Sequence, residues 1–259
     1  LTEICYQAHR FTEEFCSLSS KIRGMDLNAD LGESPQQWES GADQALLELV
    51  TSANVCCGAY AGDAGLSLAT VEACLAAGVA VGAQVGYPDR EGFGRRPMDP
   101  SDDELVATIR SQLDDLMTWA DDVGGRVSYV KPHGALYNTI VRDERQAAAV
   151  VEAVVPYGLP LLGLPGSAVL RRADAEGLQT VLEGFADRGY TPDGTLVPRT
   201  EPGALLDDPG QAAAQALRLA ERVQSLCVHG DSPGALEMAR AVRGALEDAG
   251  IALTSLAAG

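Results

Sequence analysis

The chain has 259 residues but only two lysines, three histidines and three asparagines. Lys131, His133 and Asn138 share one nine-residue stretch, "VKPHGALYN" at 130–138. Asn28 lies in "MDLNADLGE", Asn54 in "TSANVCCG" and His229 in "CVHGDSPG"; only His9 and Lys21 fall elsewhere, near the N-terminus. An Ala-, Gly-, Asp- and Arg-rich composition accounts for the scarcity, but not for the clustering. An imidazole titrates near neutrality and suits general acid–base work. An ammonium binds a substrate carboxylate or a developing oxyanion.

His133 is the candidate general acid or base, with a loop-orienting role as the alternative. Lys131 would bind an anion, or else pair structurally with Asp30 or Asp63. Asp30 and Glu33 would serve as base or bind an ammonium or metal, although Glu33 could simply brace its loop. Asn28, Asn54, Tyr60, Asp63, Gln84, Arg188, His229 and Asp231 make up the candidate substrate-binding set. Asp63 and Asp231 each follow a glycine and could equally cap the next helix. Arg188, in "FADRGY", suits bidentate anion binding, with a salt bridge to Glu183 or Asp187 as the alternative. Cys57 reads as a core thiol rather than a nucleophile.

Positioning such residues needs a scaffold. Strand-like segments fall at 25–30, 53–57, 79–84, 127–131, 160–164, 180–184 and 226–229, with a weaker eighth at 251–256. Between them run helical patterns. Leu105, Ile109, Leu113, Leu116 and Ala120 form one apolar stripe, opened by a capping box at Ser101 and Glu104. Ala235, Met238, Ala239, Val242, Leu246 and Ala249 form another. This alternation, without a Gly/Ser linker, predicts a single α/β domain: a (β/α) barrel of seven or eight parallel strands spanning 25–259. A doubly wound sheet is the rival, but G-x-G-x-x-G does not follow the first strand. In a barrel most of these candidates sit at the end of a strand or just after it, and those segments converge at the rim where active sites form.

The net charge of −18 disfavours nucleic acid and anionic membranes. No apolar run approaches the ~18 residues of a membrane span, and six cysteines without a C-x-x-C pair read as reduced thiols of a cytoplasmic protein. No Gly-Lys pair exists, so no Walker loop is present. Residues 1–24 lack clean periodicity before Met25, and read as an upstream extension or as a helical arm.

"MDLNADLGES", "VTSANVCCGAYAGD", "GVAVGAQVGYPDREGFGRRPM", "VKPHGALYN", "EGFADRGYTPDGTLVPRTEPGALLDD" and "CVHGDSPGAL" together resemble the LamB/YcsF family. The resemblance runs in order from Met25 onward. It implies a barrel related to glycoside hydrolases and deacetylases. It also implies ATP-dependent opening of the lactam 5-oxoproline to glutamate, with two partner subunits, B-like and C-like, through which ATP would be used. The sequence departs from the family pattern where "CGAYAGD" carries Tyr60 and "GAQV" carries Gln84 in place of histidines. Those side chains ligate metals poorly, so no tightly bound transition metal is expected. The departures also keep two other readings open: a barrel enzyme acting on another cyclic amide or carbonyl compound, and a non-catalytic subunit that holds partners. A metal-dependent deacetylase is disfavoured, because only His133 and His229 remain as barrel histidines.

Overall fold

A computed structural model of the chain describes residues 24–230 and 234–256. Asp231 and residues 1–23 of the expected extension lie outside the described residues. Seven parallel strands form in chain order: β1 (Asp26–Leu31), β2 (Ser52–Cys56), β3 (Ala80–Val85), β4 (Val127–Pro132), β5 (Leu161–Gly163), β6 (Thr180–Phe185) and β7 (Ser225–Cys227). Each pairs with the next and β7 pairs with β1, closing the barrel.

The eighth strand expected at 251–256 does not form. Met25 makes a single parallel bridge to Leu253. The β7–β1 pairing leaves no free sheet edge for another strand to join. The segment instead closes one end of the barrel: Leu256 packs on Tyr129, Leu162 and Val181, and its N–H donates to Ser52 Oγ.

Helices surround the barrel: α1 (Pro35–Glu39), α2 (Ala42–Leu47), α3 (Ala64–Ala77), α4 (Asp102–Asp122), α5 (Gly134–Thr139), α6 (Glu144–Val154), α7 (Ala168–Ala175), α8 (Pro209–Ala220) and α9 (Ala235–Asp248). The expected capping box opens α4: Ser101 Oγ accepts from the Glu104 N–H while Glu104 accepts from the Ser101 N–H. All five residues of its predicted stripe are buried. In α9, Met238, Ala239, Val242 and Leu246 are buried, whereas Ala249 ends the helix exposed.

The strands alternate in character because both barrel faces are buried but only one is apolar. Leu27, Ala29, Leu31, Ala53, Val55, Val81, Ala83, Val85 and Val130 belong to the main core with the helices. Burying each of the larger of these contributes about 1.5–3 kcal/mol. Asp26, Asn28 and Asp30, in the alternate positions of β1, are equally buried yet bond to one another's neighbours on β2, β4, β6 and β7. Above the apolar plug of Tyr129, Leu162, Val181 and Leu256, the barrel interior is therefore a polar network. Its upper end is the site.

Candidate active site

Lys131, at the end of β4, sits at the centre of that network. Its ammonium lies 2.9 Å from Glu183 Oε1 and 3.2 Å from Asp30 Oδ1, and donates to Asn28 Oδ1 at 3.0 Å and Cys227 Sγ at 3.0 Å. Asn54 Nδ2 donates to Asn28 Oδ1 and Asp30 Oδ1, at 2.7 and 2.8 Å. Burial alone would discharge Lys131, but the Asp30 carboxylate, with Glu183 beside it, outweighs it and holds the amine well above its ordinary value. Burial would likewise raise Asp30, yet the Lys131 charge leads the opposing causes and keeps its carboxyl well below the usual range. The Cys227 thiol is pushed up by burial and stays protonated. Lys131 thus takes the structural pairing with Asp30 while its charge remains fixed beside the cavity.

His133 is clamped from three sides. Gln84 Nε2 donates to its Nδ1 at 3.0 Å, and its Nε2 donates to the Phe93 carbonyl at 3.1 Å. A carbonyl can only accept, so the network assigns the neutral Nε2–H tautomer. Tyr60 covers the ring, centroids 4.2 Å apart and planes 3° from parallel. Gly86 and Gly94 make room for this stack: a Cβ on Gly86 would come within 2.9 Å of the Tyr60 ring, and one on Gly94 within 3.2 Å of His133 Cδ2. Phe93 takes φ 56°, alone among the described non-glycine residues in having positive φ, while presenting its carbonyl to His133. Burial lowers the His133 pKa below that of a free imidazole.

His229, just beyond β7, is arranged differently. Its Nδ1 lies 2.9 Å from Asp187 Oδ1, its backbone N–H donates to Asp187 Oδ2 at 2.8 Å, and its ring stacks on Phe185. Burial would raise the Asp187 carboxyl, but His229 outweighs it and keeps it lowered. Among the described residues no protein group bonds His229 Nε2. This is the orientation of an imidazole whose second nitrogen is left for a reacting group.

Asp30, Lys131, His133, Tyr137 and His229 line one cavity of about 680 Å³. Arg95, Arg188 and Arg199 line it too. Arg188 is 4% exposed, and Nε and Nη2 donate to the carbonyls of Ala204 and Val197 rather than to the acids named in the salt-bridge alternative. Burial, then the Arg199 charge, lowers it to about 10. Tyr137 Oη is buried without a hydrogen-bond partner among the described residues, and burial followed by the Glu183 charge raises its phenol, so it stays a donor.

The structure therefore gathers Asn28, Asp30, Glu33, Asn54, Tyr60, Gln84, Lys131, His133, Arg188 and His229 in or directly beneath one rim. Asp63 is not among them. It is exposed and caps α3 through the Leu66 N–H, at 2.9 Å, which is the capping alternative. Sequence reasoning passes over Tyr137 and Cys227, and names Glu183 and Asp187 only as salt-bridge partners for Arg188. A signal exists for Glu183, an acid inside the apolar strand "TVLEGF", and for Tyr137, lodged between two singled-out residues.

Residues 25–259 match the LamB/YcsF family. The chain is 50% identical to a 5-oxoprolinase A subunit (the form numbered 3) of Pseudomonas syringae pv. tomato, over 91% of this chain and 98% of that one. It is 53% identical to the 5-oxoprolinase A subunit of Paracidovorax citrulli, over 90% and 99%. The lactam utilization protein of Thermus thermophilus superposes with a TM-score of 0.83 at 41% identity, covering 90% of this chain and 99% of that one. A deacetylase with its substrate, at 12% identity and a TM-score of 0.50, shares the fold alone. The chain belongs to the LamB/YcsF family.

Proposed function

We propose that this protein is the A component of an ATP-dependent 5-oxoprolinase, opening 5-oxoproline to glutamate in the cytoplasm with B-like and C-like partners. The observation that carries this reading is near-full-length identity of about half with proteins of that name. ATP enters through the complex, since the chain has no phosphate-cradling loop.

The cavity's chemistry supports the reading. The arginine side suits the lactam's carboxylate. The Tyr137 hydroxyl is the donor for charge developing on the lactam carbonyl oxygen, and the Lys131 ammonium, whose N–H groups are already taken, contributes its charge beside it. His229, oriented by Asp187, takes a proton from water as the hydroxide adds to the carbonyl carbon. It returns that proton to the ring nitrogen as the C–N bond breaks, giving an amine and a carboxylic acid, which exchange a proton to become ammonium and carboxylate. His133, with both nitrogens engaged, positions the loop instead.

Reconstitution tests this. The chain alone should release no glutamate from 5-oxoproline and ATP, and mixing it with both partners should give ATP-dependent release. Activity of the single chain would overturn the division of labour, and inactivity of the full set would overturn the substrate.

A further inference from the structure

Asp30, Glu33 and His133 come from β1, the loop after it, and the end of β4, yet one ligand-capable atom of each lies within 4.8 Å of the others. His133 Nδ1 is 3.8 Å from Asp30 Oδ2 and 3.6 Å from Glu33 Oε1, too far for hydrogen bonds. In the assigned tautomer Nδ1 carries a lone pair, so three acceptors face one another. Such a group needs a donor or a cation among its members.

Gln84 supplies the donor. Its Nε2 donates to Glu33 Oε1 at 3.1 Å as well as to His133 Nδ1. The other half of the same carboxamide is unsatisfied: Gln84 is 0% exposed, and its Oε1 has no hydrogen-bond partner among the described residues. A buried carbonyl left unpaired is costly. Turning the amide over would merely set a fourth acceptor against the other three, unless a cation stood between them.

We propose that this cluster is a weak site for a divalent, oxygen-preferring cation, Mg²⁺ or Mn²⁺, with Gln84 as its two-state element. Without the cation the Gln84 N–H bridges Glu33 and His133. With it, the carboxamide rotates by half a turn, and Oε1 joins Asp30, Glu33 and His133 Nδ1 as a ligand. Three oxygens and one imidazole suit Mn²⁺ or Mg²⁺, with water completing six positions. Zinc sites draw more heavily on histidine and cysteine. The Lys131 ammonium beside Asp30 opposes the cation and keeps the site weak. Binding here is a separate matter from the lactam reading and survives its failure.

The test is a Mn²⁺ titration of the full chain followed by pulsed EPR, which detects nitrogen coupled to the bound ion. One site with imidazole-nitrogen coupling is expected, and Glu33→Gln should abolish that coupling. Gln84→Glu, exchanging a neutral ligand for a charged one, should tighten the site about tenfold, equivalent to about 1.4 kcal/mol. Mn²⁺ bound without nitrogen coupling would mean surface carboxylates only, and coupling indifferent to Glu33→Gln would place the ion elsewhere; either overturns the proposal. Should Glu33→Gln fail to fold, side-chain amide NMR of the unmodified chain decides. Mg²⁺ should shift a single glutamine NH₂ pair, and the shift should vanish in Gln84→Glu. No such shift overturns the rotation.

Discussion

Tyr60 lies flat on the His133 imidazole, and Gln84 holds the same ring by its Nδ1 edge. These are the two positions at which the sequence lacks a histidine of the family pattern it resembles, and both act on one residue. Together they fix the orientation of the His133 ring. In the proposed reaction, acid–base work is therefore assigned to the imidazole that still has a nitrogen facing the cavity, His229.

In the reconstituted enzyme, His229→Asn should lower kcat by about 10²–10⁴-fold, the usual weight of a general acid–base group. His133→Asn should cost far less in kcat. Asp187→Asn, which removes the acceptor fixing the His229 tautomer, should fall between them and alter the pH profile. A larger loss at His133 than at His229 would reverse the assignment.

Tyr60→His with Gln84→His should raise zinc affinity, because imidazole is a better ligand than phenol or carboxamide. The double change also removes the Nε2 donor between Glu33 and His133. Competition with a chromophoric chelator measures it. An affinity unchanged from the unmodified protein would show that these loops cannot converge on one ion.

The barrel was legible because its strands are short, buried and separated by helical patterns, and rarity exposed Lys131, His133 and His229 in a chain with so few lysines and histidines. Glu183 was hidden by the opposite circumstance, being one of 37 acidic residues. Asp63 and Asp30 look alike in sequence; only the direction of the chain shows that one caps a helix and the other faces Lys131. The segment at 251–256 has a strand's composition, but whether a strand forms there depends on a free edge, which is a property of the closed sheet.

Lys131 is buried with two carboxylates, so Lys131→Met should cost about 3–5 kcal/mol by leaving them without a counter-charge. Adding Glu183→Gln to that variant should restore part of the loss, since one uncompensated charge is removed. Urea unfolding of the single and double variants measures the coupling. Additive losses would mean that Lys131 and Glu183 do not interact.

Asp26 gives a pH dependence of definite sign. Its carboxylate accepts from the hydroxyls of Thr51, Ser52 and Ser225, but burial is the larger influence and raises it to about 6. The native state therefore holds a proton that the unfolded chain releases near pH 4, so this group's contribution is fully present below about pH 4. Stability should fall as pH rises from there through about 6, by about 3 kcal/mol at about 1.4 kcal/mol per unit, and then level off. Asp30 titrates in the opposite sense: its lowered carboxyl stabilises the fold above the ordinary aspartate value and loses that contribution as the solution becomes more acid. Asp26→Asn separates the two, because the amide oxygen can still accept from Thr51 and Ser52, with the amide N–H turned to the Ser225 hydroxyl, while nothing titrates. Urea unfolding of both proteins from pH 4 to pH 7.5 gives a difference curve containing Asp26 alone. The unmodified protein should lose ground to the variant across that window, and a flat difference would place the Asp26 carboxyl at its ordinary value.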